Sequence, residues 1–178
     1  MSLPTSPDLI ESAKKLAAFQ AVRDFLLPSF GLIGIGSGTT VEYVVDAIVE
    51  KGPSFYGNMA FVPTGNERPI VNGNPVAIDV AFDGADEIDE DLNLIKGGGA
   101  CLFQEKLVAV SARKFVAVAD YRKQSTRLCT KWKTIPLEIL PIAAPLILRR
   151  LKALGSVTAA LRSGLPAKAG ECVTDNGK

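Results

Sequence analysis

An α/β fold on a doubly wound, mostly parallel sheet, followed by a second, small and incomplete α+β unit, is what this sequence predicts. Three observations carry that reading. Short apolar runs alternate with amphipathic helical stretches from residue 7 to residue 119, the pattern of parallel strands joined by helical crossovers. Glycine-bearing turns follow the apolar runs at 31–35 and 76–82. Near residue 128 the strand–helix rhythm breaks.

Residues 7–26 read as a helix, because Pro7 suits a first helical turn and Ile10, Ala13, Ala17 and Ala21 share one face. A first strand spans 31–35. The turn Gly36, Ser37, Gly38, Thr39, Thr40 leads from it into helical VEYVVDAIVEK, which Gly52 stops. Residues 60–63 are a second apolar strand, ending at Pro63, Thr64 and Gly65. The polar stretch from there to Asn74, with Pro69 and Gly73, reads as loop. A strand over 76–82 places Ile78, Val80 and Phe82 on one face and Ala77, Asp79 and Ala81 on the other. Residues 92–95 form a short extended piece, Gly97, Gly98 and Gly99 open a helix over 100–113, and 115–119 is a further strand. Beyond the break, 136–140, 157–162 and 171–174 read as strands and 143–154 as a helix closed by Gly155. That β-α-β-β order is part of a split βαβ, ferredoxin-like unit, which needs one more helix and strand.

Composition narrows the function classes. In 178 residues, 47% are hydrophobic and 22% charged, which allows a sizeable core. The net charge of +1 supplies no general basic field for nucleic acid or an anionic membrane. Three cysteines without paired spacing argue against a disulfide framework and fit a reducing compartment. Histidine is absent, which removes His-based triads and His-ligated metals. The start MSLPTSPDLIESAKK lacks the apolar core of a secretory signal. The longest apolar stretch, 135–148, contains Glu138 and three prolines and is too short to span a membrane. A cytoplasmic location is expected.

Four segments carry candidate chemistry. The Gly36 to Thr40 turn offers backbone N–H groups, a helix N-terminus and the hydroxyls of Ser37, Thr39 and Thr40, a phosphate cradle or simply a capped turn. It matches neither the dinucleotide fingerprint nor a P-loop. In FDGADEID, Asp83 and Asp86 flank a Gly84–Ala85 turn at the carboxyl end of a strand, where ligands bind in open α/β sheets. Those carboxylates could bind hydroxyls or a divalent cation, or belong to a solvated acidic turn. In KGGGACLFQEK, Lys96 precedes Gly97, Gly98 and Gly99, which let backbone approach a ligand closely. Glu105 falls in the second turn of the helix that follows, where a surface residue beside Lys106 is the plain alternative. Lys123, in the Asp120–Tyr121–Arg122–Lys123 run, sits beyond another strand end. Together these groups suit a small polyhydroxylated phosphate ester.

The residues from Lys14 onward, densest in 34–40 and 79–123, resemble the ribose-5-phosphate isomerase A family in a eukaryotic, fungal-like form, and FDGADEID followed by KGGGACLFQEK is specific for it. The closing VTDNG at 173–177 is also similar. The resemblance implies interconversion of D-ribose 5-phosphate and D-ribulose 5-phosphate through an enediolate, in the pentose phosphate pathway, with no cofactor and no metal. It implies Glu105 as the general base, Asp83 and Asp86 as groups that contact the sugar hydroxyls or aid ring opening, and Lys96 with Gly97, Gly98 and Gly99 as oxyanion stabilisers. Ser37, Gly38, Thr39 and Thr40 become a substrate-binding loop, Gly84 and Ala85 line the sugar, Lys123 holds the anionic end, and Lys14 is a further phosphate contact. The expected partner is a small sugar phosphate, with no nucleic acid and no membrane. The expected division is a Rossmann-like catalytic domain at 1–127 and the incomplete small domain at 128–178.

Three departures accompany the resemblance. Thr39 stands where the family has Ser, and the chain is shortened between Thr64 and Asp79, with Asn66, Glu67, Arg68 and Pro69 where a helix is expected. The family also continues beyond VTDNG, so the chain reads as C-terminally truncated, without surface the family uses to form homo-oligomers. An active isomerase is the first reading. A catalytically inactive relic, splice form or gene-model form that at most binds sugar phosphate is the alternative. A sugar-phosphate-sensing regulator ranks last, because no DNA-binding segment is present.

Overall fold

The structure, a computed structural model, describes residues 6–64, 70–71, 74–164, 172–174 and 177. Helix α1 (Pro7–Phe25) is capped by Ser6, whose side chain accepts from the Leu9 N–H. Strand β1 (Leu32–Ile35) leads to α2 (Thr39–Glu50), the short helix α3 (Pro53–Tyr56) and β2 (Ala60–Pro63). Next come β3 (Ile70–Val71), β4 (Asn74–Pro75), β5 (Ile78–Asp83), β6 (Glu87–Ile88) and β7 (Leu94–Ile95). Helix α4 (Leu102–Ser111) passes directly into β8 (Ala112–Ala117), and α5 (Ala144–Ala153) follows.

The main sheet has four strands in the order β2-β1-β5-β8, all parallel. From β1 the chain crosses by α2 to β2 on one side, whereas from β5 it crosses by α4 to β8 on the other. The sheet therefore switches direction between β1 and β5, and the loops leaving their carboxyl ends diverge to open a crevice. Backbone bonds past the strands hold that edge together: Gly36 N donates to Phe82 O, and Val118 N to Asp83 O, both at 2.8 Å.

Both faces of the sheet are covered. On one face α1 and α2 press Ala18, Val22, Val41, Val44 and Ile48 onto Ile33, Val80, Phe82 and Val116. On the other, Val108 of α4 packs with Leu32, Val62, Ile78 and Ala81. Each fully buried valine or isoleucine in these layers contributes about 1.5–3 kcal/mol. Gly34 sets how close α4 comes: a Cβ there would lie 2.7 Å from Val108 Cγ1 and 2.8 Å from Ala81 Cβ. Among the described residues, no helix is long and apolar enough to cross a membrane.

Several expectations need correction. Ile78 clusters with Leu32, Val62, Ala81 and Val108 rather than with Val80 and Phe82. The loop expected up to Asn74 contains a two-residue antiparallel ladder of β3 with β4. Helix α4 starts at Leu102 rather than at 100, because Ala100 has φ +65°, which a right-handed helix cannot accommodate. Strand β8 starts at Ala112 rather than at 115. The strands expected at 136–140 and 157–162 do not form. Pro136 lacks an N–H, and the second stretch meets a partner at its very end, where Cys172 N donates to Arg162 O at 2.8 Å, which is short of a ladder. Ile135, Leu137 and Leu140 stay exposed in consequence. Part of the strand expected at 171–174, part of VTDNG and the whole of the shortened 65–69 segment lie outside the described residues.

Glu87 organises the chain that leaves the sheet. It is fully buried on β6. Its Oε1 accepts from Ser125 Oγ at 2.5 Å, Thr130 N at 3.0 Å and Lys131 N at 2.6 Å, and its Oε2 from Cys129 N at 2.6 Å. Burial alone would push its carboxyl up, but the Ser125 hydroxyl and the N–H groups of Lys131, Cys129 and Thr130 outweigh it and hold the group down from 4.5 to about 2. A depressed value in the folded state means that this stability is present above pH 4.5 and lost as the pH falls through about 2. Glu87→Gln should therefore flatten the decline in urea stability between those pH values by about one proton. An unchanged slope would remove Glu87 from that role.

Candidate active site

The crevice at the switch point is an open cleft of about 240 Å³. Every residue given a role by the resemblance lines it. From the β1–α2 turn come Ser37, Gly38, Thr39 and Thr40, and from the end of β5 come Asp83, Gly84, Ala85 and Asp86. Lys96 and Gly97, Gly98 and Gly99 follow β7, Glu105 projects from α4, Lys123 follows β8, and Lys14 reaches in from α1. All of these positions lie within 1–127.

The floor is an ionic cluster around Lys96. Its ammonium donates to Asp83 Oδ2 at 2.8 Å and to the Gly84 carbonyl at 2.6 Å, and lies 2.9 Å from Glu105 Oε2. The last contact is an ion pair made to a buried carboxylate oxygen. Glu105 is buried, whereas the neighbouring Lys106 is exposed, so the plain surface reading of Glu105 does not hold. The late start of α4 places Glu105 in the first turn rather than the second. Its distance from Val108 by three residues turns both toward the sheet. Burial pushes the Glu105 carboxyl above the usual range; Lys96 opposes this, and the charges of Asp83 and Asp86 add to it.

Close approach is built into the backbone here. A Cβ on Gly36 would fall onto the Asp83 carboxyl group and lie 2.7 Å from Asp83 Cβ. Asp83 Oδ1 also accepts from the Gly84 N–H at 2.7 Å, and Asp86 Oδ2 accepts from Gly98 N at 2.7 Å. Asp86 thereby ties the β5 turn to the glycine loop.

A cationic wall faces this floor. Lys14, a buried lysine, donates to Thr39 Oγ1 at 2.9 Å and to Glu11 Oε1 at 2.7 Å. Glu11 also accepts from Tyr43 OH at 2.8 Å, and the bonds from Lys14 and Tyr43 hold its carboxyl below the ordinary value. Helix α2 begins without a side-chain cap at Gly38, so its first N–H groups point to the cleft mouth. Asp120 and Arg122 also line the cleft, although the sequence reading gave a role in this run only to Lys123. Arg122 Nε and one terminal nitrogen pair with Asp120 at 2.6 and 2.8 Å, which holds the Asp120 carboxyl down. The two-residue spacing of opposite charges in DYRK is the signal that could have found them. Lys123 stacks over the Trp132 ring. Among the described residues, no group of three or more His, Cys, Asp or Glu side chains is arranged to hold a metal ion.

In chemical terms the cleft offers a buried carboxylate with a strengthened basicity, an adjacent ammonium, paired carboxylates for hydroxyls, and cations with helix N–H groups for an anionic end. Comparison with known proteins gives the same direction. The family model described as ribose 5-phosphate isomerase A (phosphoriboisomerase A) matches residues 64–178. The chain is 48% identical over 179 residues to ribose-5-phosphate isomerase of Mycosarcoma maydis, covering 94% of this chain and 62% of that protein. To the Candida albicans enzyme of the same name it is 48% identical over 186 residues, covering 97% and 76%. Among solved structures, a D-ribose-5-phosphate isomerase in complex with phospho-erythronic acid superimposes with a TM-score of 0.74 at 35% identity, covering 94% of this chain and 76% of that one. The chain thus spans less than two thirds of the Mycosarcoma maydis protein's length.

Two outcomes follow from the geometry. Gly36→Ala forces the Asp83 carboxyl aside and should cost about 1–3 kcal/mol in urea denaturation. Since Glu105 holds its proton more tightly when folded than when unfolded, the stability it contributes is present below pH 4.5 and is lost as the pH rises through its raised folded value. Glu105→Gln should then be more stable than the parent at neutral pH, with the difference vanishing toward pH 4. A less stable variant at pH 7 would contradict the raised value.

Proposed function

The chain belongs to the ribose 5-phosphate isomerase A family, and we propose that it interconverts D-ribose 5-phosphate and D-ribulose 5-phosphate by proton transfer through an enediolate. The observation that carries this reading is the buried Glu105 carboxylate, 2.9 Å from the Lys96 ammonium on the cleft floor. A carboxylate whose affinity for a proton is raised is suited to take one from carbon and return it to the next.

In the proposed sequence, Asp83 or Asp86 accepts the anomeric hydroxyl proton as the bond from C1 to the ring oxygen breaks, and the departing ring oxygen takes that proton up as a hydroxyl. Glu105 then removes the proton from C2, and the electron pair moves through C1 onto O1. Lys96 and the backbone of Gly97, Gly98 and Gly99 stabilise that oxyanion. The O2 proton passes to O1, Glu105 returns its proton to C1, and the ketose results. Ser37, Gly38, Thr39 and Thr40 at the N-terminus of α2, with Lys14 and Lys123, take the phosphate end, while Gly84 and Ala85 line the sugar. We add Arg122, held in orientation by Asp120, to that cationic end. Residues 1–127 would form the catalytic unit, and 128–178 would belong to a smaller unit. The inactive-relic alternative is not favoured, because the chain matches enzymes of this family along most of its length and its candidate groups line one cleft.

The test is isomerisation of ribose 5-phosphate by the purified 178-residue chain. Glu105→Gln should lower kcat by about 100-fold or more while inhibition constants for a phosphorylated sugar acid change little. Lys123→Ala should mainly raise KM. A folded parent chain without turnover would overturn the proposal, and full turnover in Glu105→Gln would remove Glu105 as the base.

A further inference from the structure

We propose that Trp132, which does not line the cleft, is a positioning residue: its indole is the floor on which Gly98 and Lys123 are held at a fixed separation. The proposal rests on the isomerase reading, because it takes Gly98 as part of the oxyanion loop and Lys123 as a holder of the anionic end. Three observations converge on this one ring.

The first is contact with the glycine loop. A Cβ on Gly98 would lie 2.7 Å from Trp132 Cη2 and Cζ2, and equally 2.7 Å from Asp86 Oδ1. The indole and the Asp86 carboxylate thus both close on the side of Gly98 where a side chain would project, and the carboxylate also accepts the Gly98 N–H. Any side chain at 98 would pry the two apart, and any tilt of the ring would re-aim the peptide. The second is Lys123, whose ammonium lies 5.8 Å from the ring centroid, within the range of a cation–π contact. One rigid plane therefore touches a group at each end of the substrate site.

The third is how the ring is delivered. Ser125 and three successive N–H groups, of Cys129, Thr130 and Lys131, converge on the buried Glu87 carboxylate, and Trp132 is the next residue. Cys129 adopts φ +62° to make this turn, a conformation that non-glycine residues rarely take. The indole N–H is buried without a hydrogen-bond partner, so no polar contact accounts for the placement. What the placement supplies is an aromatic face. A misplacement of catalytic groups by about 1 Å can cost about 100-fold in rate, which is the scale on which such a floor matters.

The test uses the purified 178-residue chain and the replacements Trp132→Phe, Trp132→Leu and Trp132→Ala. Phenylalanine keeps a ring under both groups and should stay within about threefold of the parent in kcat and KM. Leucine fills the space under Gly98 but has no π face, so it should keep kcat and raise KM by about five- to tenfold. Alanine removes the floor and should lower kcat as well, by about tenfold or more. Because Trp132 is the one tryptophan in the chain, parent emission should also shift when ribose 5-phosphate or inorganic phosphate binds, and Lys123→Ala should suppress that shift. A folded leucine variant with parental kcat and KM would overturn the proposal by reducing Trp132 to a space filler, even where the alanine variant does not fold. A parent chain that shows the emission shift without turnover would overturn the isomerase reading but keep Trp132 at the binding site. A parent chain silent in both assays would overturn both.

Discussion

The ammonium of Lys96 is the point on which the site depends. It joins three chain segments: β5 through Asp83 and Gly84, the strand before the glycine loop through its own backbone, and α4 through Glu105. Two carboxylates this close would repel one another in the low-dielectric interior without a cation between them. Lys96 allows both to stay buried while leaving Glu105 with an elevated proton affinity. The same ion pair that lets the chain close around these charges opposes, without cancelling, the rise in proton affinity that burial imposes on Glu105.

The sheet topology decides which residues can meet there. The strand order β2-β1-β5-β8 sends the crossovers leaving β1 and β5 in opposite directions, so the loops after Gly36 and Asp83 diverge above that edge. Glycine at 36 then lets the β1 turn come against the Asp83 carboxyl, and glycine at 34 lets α4 sink onto the sheet until Glu105 reaches the same floor. Charge placement follows from backbone geometry, and backbone geometry from a few positions where a methyl group has no room.

Much of this was legible in the sequence because the informative residues are local. Glycines, carboxylates and lysines cluster at strand ends, and a parallel sheet gathers strand ends without further information. Glu105 required more, since its turn of the helix depends on the left-handed Ala100, whose identity gives no sign of that conformation. Glu87 read as one acid in an acidic run, yet four donors from 38 to 44 residues away enclose it more fully than any other carboxylate among the described residues. Such a partnership is invisible in a window of neighbouring residues. The failed strands at 136–140 and 157–162 show the converse: extended, apolar composition is a local property, but a strand exists only when another strand lies beside it.

Helix α4 is held along its whole length. Glu138 Oε2 accepts the Phe103 N–H near its start at 2.7 Å, Val108 presses on the sheet at its middle, and Ser111 runs into β8 with no intervening loop. A side chain mounted on such an element has nowhere to wander. The entropy of locating the Glu105 carboxylate is therefore lost once, when the polypeptide folds, and need not be lost again each time a ligand arrives.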